Sequence, residues 1–179
     1  MAKKRRKPKM EFRYYQMSAG SPILALLGQK WVQNYGNDVD YPHFHNYLEI
    51  GYCYGGDGFM VLGEEEERFY GGIVTVIPPN YPHTTNSDIG TVSKWEYLFI
   101  DVEGFMKKFL DNPVKAEKVI QRIYSRALFF EEKENLSISK KIHKILDIMR
   151  DGEEFFLEEA KGVLAALLVE IARLNRDSG

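Results

Sequence analysis

The sequence predicts a mainly β domain that ends in helices: a barrel or sandwich of short antiparallel strands, followed by an antiparallel helical hairpin. Three observations predict it. Short apolar and aromatic stretches at residues 47–54, 59–62, 66–70, 73–77 and 91–101 alternate with turn signals such as Gly55-Gly56-Asp57-Gly58. No helical pattern interrupts them. After residue 103 the apolar period changes from two to that of a helix, and the last two helical stretches each carry one continuous apolar stripe.

Taken in order, residues 11–17 hold Phe12, Tyr14, Tyr15 and Met17, an aromatic segment of strand character. Residues 18–22 break it, 23–27 form a short apolar run, and 30–35, with Trp31, Val32 and Tyr35, read as another strand before a turn at 36–38. The strand at 47–54 returns through the glycine-rich turn to 59–62. A turn at Gly63-Glu64 leads to 66–70, and Gly71-Gly72 leads into 73–77. A proline-marked loop, residues 78–83, precedes the longest strand, 91–101. There Trp95, Tyr97 and Phe99 share one face and Lys94 and Glu96 begin the other.

Residues 103–110 and 114–128 show helical spacing, separated by Asn112-Pro113. Ile138, Ile142, Ile145, Leu146 and Met149 make one stripe, which ends at Asp151-Gly152. In the final helix Leu157, Ala160, Leu164, Leu167, Ile171 and Leu174 alternate spacings of three and four, a heptad seam widened by Val163 and Leu168. So wide a face predicts contact with a second copy of the chain as well as with the preceding helix. The organisation read from the sequence is a basic tail at 1–10, a β-barrel at 11–102, and a helical region at 103–179 with its dimerisation hairpin at 138–175.

Composition narrows the class. Hydrophobic residues at 44% and charged residues at 28% fit an ordinary soluble domain. No apolar run approaches the roughly 20 residues that span a bilayer, and no apolar segment follows the basic start, so the sequence offers neither membrane span nor secretory signal. Cys53 stands alone, which excludes an internal disulfide and fits the cytoplasm. Six of the 24 basic residues fall in the first ten positions, leaving 18 against 26 acidic residues in the rest of the chain. A body that acidic repels a phosphate backbone, so the domain is not expected to hold DNA itself. There is no Gly-rich phosphate loop, nucleophile elbow or CxxC pair.

Three of the four histidines fall in two proline-marked windows: Tyr41-Pro-His43-Phe-His45-Asn-Tyr47-Leu-Glu49, and Pro78-Pro-Asn80-Tyr81-Pro-His83. His43, His45, Tyr47 and Glu49 share parity and so one face of an unbroken strand. In such a strand Glu49 would lie about 13 Å from His45, too far to share an ion. A common site therefore requires a bend near Asn46. Three roles fit the imidazoles: metal ligands, direct contacts to an organic ligand, or neutral groups hydrogen-bonded within the barrel. Tyr47, Tyr81 and Trp95 are further ligand-facing candidates, with aromatic faces suited to a sugar ring or another flat molecule.

His43-x-His45, Glu49 and Gly56, followed by Gly72, Pro78-x-Asn80 and His83, resemble the two motifs of the cupin barrel, with Asn80 where a glycine usually stands. Together with Gly72 to His83 and Trp95 to Asp101, the chain resembles the N-terminal sensory domain of AraC/XylS-type transcriptional regulators over residues 11–179. The resemblance implies a cupin-type double-stranded β-helix, a small-molecule effector (a carbohydrate among the classes), no catalysis, and a homodimer joined through the helical hairpin. Such regulators continue into a helix-turn-helix domain, which nothing after Leu174 supplies, so DNA would be reached only through a unit absent from this chain. In metal-binding cupins the residues matching His43, His45, Glu49 and His83 hold a divalent ion, for which zinc, nickel, manganese and iron are candidates. The competing reading is a metal-dependent cupin enzyme, an isomerase or oxygenase, built on the same four residues.

Overall fold

Two sheets face each other across a common interior, and helices cover the outside of one. The computed structural model describes residues 10–28, 32–33 and 41–177. The tail at 1–9, most of the strand predicted at 30–35 and the turn predicted at 36–38 lie outside the described residues. One sheet orders β1 (Glu11–Arg13), β4 (His43–His45), β9 (His83–Ser87), β6 (Gly58–Leu62) and β7 (Glu65–Phe69). The other orders β11 (Leu128–Glu131), β8 (Ile73–Ile77), β5 (Leu48–Gly55), β10 (Ser93–Ile100) and β2 (Ile23–Leu26), with β3 (Val32–Gln33) also pairing with β10. The one parallel pairing described is β1 with β4.

The six-stranded sheet is buried on both faces, so its strands read as nearly continuous apolar runs. Leu48, Ile50, Val74, Val76, Leu98 and Ile100 pack outward into the core shared with the helices. From the opposite face Cys53, Ile73, Ile77, Trp95, Tyr97 and Phe99 close the interior with Met60, Leu62 and Phe69. Gly51 is required there. A Cβ on it would lie 2.6 Å from Thr75 Oγ1 and 3.2 Å from ring atoms of Trp95 and Tyr97.

The helices follow their end signals. Asp101 accepts from the Gly104 N–H at the start of α1 (Val102–Phe109), and Asn112 accepts from the Lys115 N–H at the start of α2 (Pro113–Tyr124), with proline in the first turn. Gly152, in the left-handed region, ends α3 (Leu136–Asp151), and α4 (Phe156–Leu174) completes the hairpin.

Two expectations need correction. Residues 128–131, which begin at the last residue of the stretch 114–128 and lie inside the region 103–179 that reads as helical, contribute β11, which pairs with the edge of β8. Leu128 and Phe130 face the helices and Phe129 the barrel interior, a period-two alternation too brief to register against the helix before it. The sequence puts His83 at the end of a loop, yet it opens β9. The stretch His-Thr-Thr-Asn-Ser lacks the usual strand composition, but all five residues are buried. The heptad seam of α4 packs on the preceding helix, as its period predicts. Ala160, Leu164, Leu167 and Ile171 are buried in the core shared with α3 and the six-stranded sheet.

The hairpin is pinned to the barrel by Glu96, which bonds Arg150 of α3 and accepts from the Gly28 N–H at 3.2 Å. Burial alone would raise the Glu96 carboxyl, but hydrogen bonds from Tyr54 and Arg150 and the Arg150 charge bring it below the usual 4.5. A depressed folded-state value gives stability that is present above 4.5 and lost as pH falls through the folded value. Thermal melts from pH 6 to pH 3 are expected to show a fall in Tm that is shallower in Glu96→Gln. Parallel pH profiles for the two proteins would refute this role.

Candidate functional site

The interior narrows to a polar cluster where the chain crosses from one sheet to the other. β4 ends at His45 in the five-stranded sheet, residues 46–47 bend, and β5 begins at Leu48 in the six-stranded sheet. That bend brings His45 Nε2 within 3.0 Å of Glu49 Oε2. It is the geometry the spacing demanded. β9 pairs with β4 at His83↔His43, the two rings lying 4.1 Å apart between centroids, and His83 Nε2 stands 3.7 Å from the same Glu49 oxygen. Asn80 takes a left-handed turn, φ 60°, tolerated by asparagine, and its N–H donates to the His45 carbonyl at 2.8 Å, tying the second window to the first.

Tautomers follow from the backbone. His45 Nδ1 lies 2.8 Å from the Tyr47 carbonyl and His83 Nδ1 lies 2.9 Å from the Tyr81 carbonyl. A carbonyl can only accept, so each Nδ1 carries the hydrogen. In the neutral rings both Nε2 lone pairs then face a carboxylate. Neither Nε2 has a hydrogen-bond partner; the 3.0 Å approach is close but not aligned as a hydrogen bond. Burial alone would raise the Glu49 carboxyl, but the adjacent His83 and His45 imidazoles hold it well below the usual range. Burial first, then His83, pushes His43 down to about 3, which keeps its ring neutral. Three acceptors aimed at one point call for a proton or a cation between them.

His43, Glu49 and His83 each offer a ligand atom, all within 4.8 Å of one another, and His45 adds a fourth donor beside the same carboxylate. Mixed imidazole and carboxylate donors, with two rings oriented by backbone carbonyls, fit a divalent ion. Trp95 lies further along the same interior, stacked on Tyr97 at 5.9 Å and edge-on to Phe69 at 5.2 Å. Its Nε1–H and the Thr75 hydroxyl are also buried without a partner. Tyr47 and Tyr81 are placed differently. Both are half-buried and hold the cluster through their carbonyls. The Tyr47 hydroxyl is raised by burial and then by the charge of Asp101, and the Tyr81 ring packs over Gly63 and lines a groove beside β11.

Two participants were missed from the sequence. Thr75 carried a signal, a lone polar residue in Ile-Val-Thr-Val-Ile with interior parity. Tyr15 carried none that is local. Its ring stacks on Phe99 at 3.9 Å and meets His45 edge to face with centroids 6.2 Å apart, and Asn46 clamps its backbone by accepting from its N–H and donating to its carbonyl, both at 2.9 Å. The N-terminal segment thus closes over the cluster. Cys53 is buried, its thiol pushed up to about 12 by burial, and offers no reactive thiolate.

Fold and site together define a cupin-type barrel with a polar interior, extended by a helical hairpin. The chain belongs to the family of AraC-like ligand-binding domains, whose family model matches residues 33–168. Among solved structures it is similar to apo ToxT K231A from Vibrio cholerae, at 10% identity and TM-score 0.54 over 87% of this chain and 57% of that one. It is also similar to the AraC-like activator CuxR, at 9% identity and TM-score 0.41 over 69% and 42% of the two chains. A cupin protein from Bacteroides fragilis follows, at 19% identity and TM-score 0.34 over 44% and 61%. The chain thus spans between about two fifths and three fifths of these proteins. No curated protein matches it. Among the described residues no helix is long and apolar enough to cross a membrane.

Proposed function

We propose that this is the effector-sensing domain of a cytoplasmic transcriptional regulator: a small molecule enters the barrel, and the change is passed to a DNA-binding unit outside this chain. One observation carries the reading. Four buried polar atoms, His45 Nε2, Thr75 Oγ1, His83 Nε2 and Trp95 Nε1, lie without partners in one interior that is otherwise closely packed. Such groups cost about 1–3 kcal/mol each when left unpaired, which an effector rich in hydroxyl groups would offset by donating to the two imidazole nitrogens and accepting from the Trp95 N–H. A carbohydrate or polyol suits this set, with aromatic faces at Trp95 and Tyr97 for the ring.

A divalent ion would be held by His43, His45, Glu49 and His83, where it would anchor an effector oxygen as a Lewis acid. The enzyme reading uses the same four residues. The cap of Tyr15 over them, clamped through Asn46, favours retention of a ligand over turnover. Pairing of two copies would have to use the outer face of the hairpin, since the inner seam is already buried.

Thermal-shift screening of sugars, polyols and small acids tests the proposal. A ligand that raises Tm is expected to lose roughly tenfold in affinity in Thr75→Val and again in Trp95→Phe, each removing one polar contact. Hits indifferent to both substitutions would sink the lumen site.

A further inference from the structure

Outside the barrel, a cavity of about 590 Å³ opens where the turn after Met17 meets α1 and α4. Its size is that of a small-ligand pocket. Met17, Pro22, Phe105 and Phe109 supply apolar wall, and the two phenylalanine rings lie parallel, 5.8 Å apart and 8° from coplanar. Phe109 is half exposed, at 51%. The charged lining is Lys108, Lys161 and Asp101. Asp101 is engaged as the cap of α1, accepting from the Gly104 N–H at 2.9 Å.

The lysines differ in what accounts for them. Lys108 sits in the last turn of α1, where the helix dipole favours a cation. Lys161 sits in the second turn of α4, where no such term acts. On the same hairpin Lys141 pairs with Glu170 and Lys144 with Glu159, while Lys161, like Lys140, has no carboxylate partner among the described residues. Its neighbour Gly162 also lines the cavity. A glycine inside a helix costs about 1 kcal/mol against alanine, and a Cβ here would meet no atom within 4 Å, so packing does not demand it. What the missing side chain leaves is room.

We propose that this cavity binds a small amphiphilic anion, its apolar body against Phe105, Phe109, Met17 and Pro22 and its carboxylate at Lys108 and Lys161. The occupant would touch the N-terminal segment, α1 and α4 at once. The site is separate from the barrel interior and does not depend on what binds there.

Calorimetry on the whole chain with 4-phenylbutyrate and its neutral counterpart 4-phenylbutanol tests it. The acid is expected to bind saturably and the alcohol about tenfold more weakly, as for loss of one charge-assisted contact. Lys108→Gln with Lys161→Gln should reduce the acid to the affinity of the alcohol. Gly162→Leu, which fills the cavity, should abolish both while circular dichroism stays unchanged; if that variant does not fold, the lysine comparison decides alone. Absence of saturable binding, unchanged affinity for the acid in the lysine variant, or loss of binding through Thr75→Val and Trp95→Phe instead would each overturn the assignment.

Discussion

Glu49→Leu is expected to abolish uptake of a divalent cation: tag-free parent protein incubated with zinc or nickel should approach one ion per chain, and the variant none. The carboxylate is the one anionic donor of the cluster and stands 3.0 and 3.7 Å from the Nε2 atoms of His45 and His83. Without it three neutral imidazoles would share an ion in a nearly water-free interior, where an uncompensated charge costs several kcal/mol. The depressed carboxyl and the neutral His43 ring mean that Glu49 and His43 need lose no proton at neutral pH. Elemental analysis reads the ratio directly, with His143→Ala, which lies outside the cluster, as the control. A parent protein that takes up no ion would end the metal reading and leave the four unpartnered polar atoms to an organic effector alone.

Gly58→Ala should destabilise the fold more than the same change at any other glycine of the barrel. Its Cβ would fall 2.0 Å from the Asn86 carbonyl oxygen and 2.6 Å from Phe69 Cζ, and the first of these is backbone in the neighbouring strand. Relief requires moving β6 away from β9 and Phe69 away from the added methyl group. We expect about 3 kcal/mol of destabilisation, seen as a Tm lower by roughly 10 °C. Gly162→Ala, with open space around it, should instead raise Tm slightly. Equal melting of the Gly58 variant and the parent would show that the β6–β9 contact yields more easily than its geometry implies.

The period-two strands of the six-stranded sheet, the face shared by Trp95, Tyr97 and Phe99, and the bend that His45 and Glu49 require are all legible locally, because alternation and reach are properties of a few consecutive residues. That His83 joins His43, His45 and Glu49 is not a local signal: the resemblance to the two cupin motifs implies it, and the β4–β9 pairing brings the rings together. What escapes is set by distant partners. His83 to Ser87 forms a strand because β4 and β6 flank it, although its polar side chains signal a loop. Residues 128–131 extend because β8 offers an edge. Tyr15 reaches the cluster through Asn46, 31 positions away. The α4 seam has the right period, but period alone does not say whether the partner helix belongs to the same chain.

The crossover at residues 46–47 assigns the cluster to both sheets. His43, His45 and His83 stand on one, and Glu49 stands on the other. Anything held between them works as a calliper, gauging the gap between two walls. Glu49 lies in β5 between Leu48 and Ile50, whose side chains form part of the floor on which the helices rest. A shift of that carboxylate toward or away from the imidazoles would therefore tilt the floor. Occupancy inside the barrel would be read outside it as a displacement of the hairpin, without the ligand touching a helix.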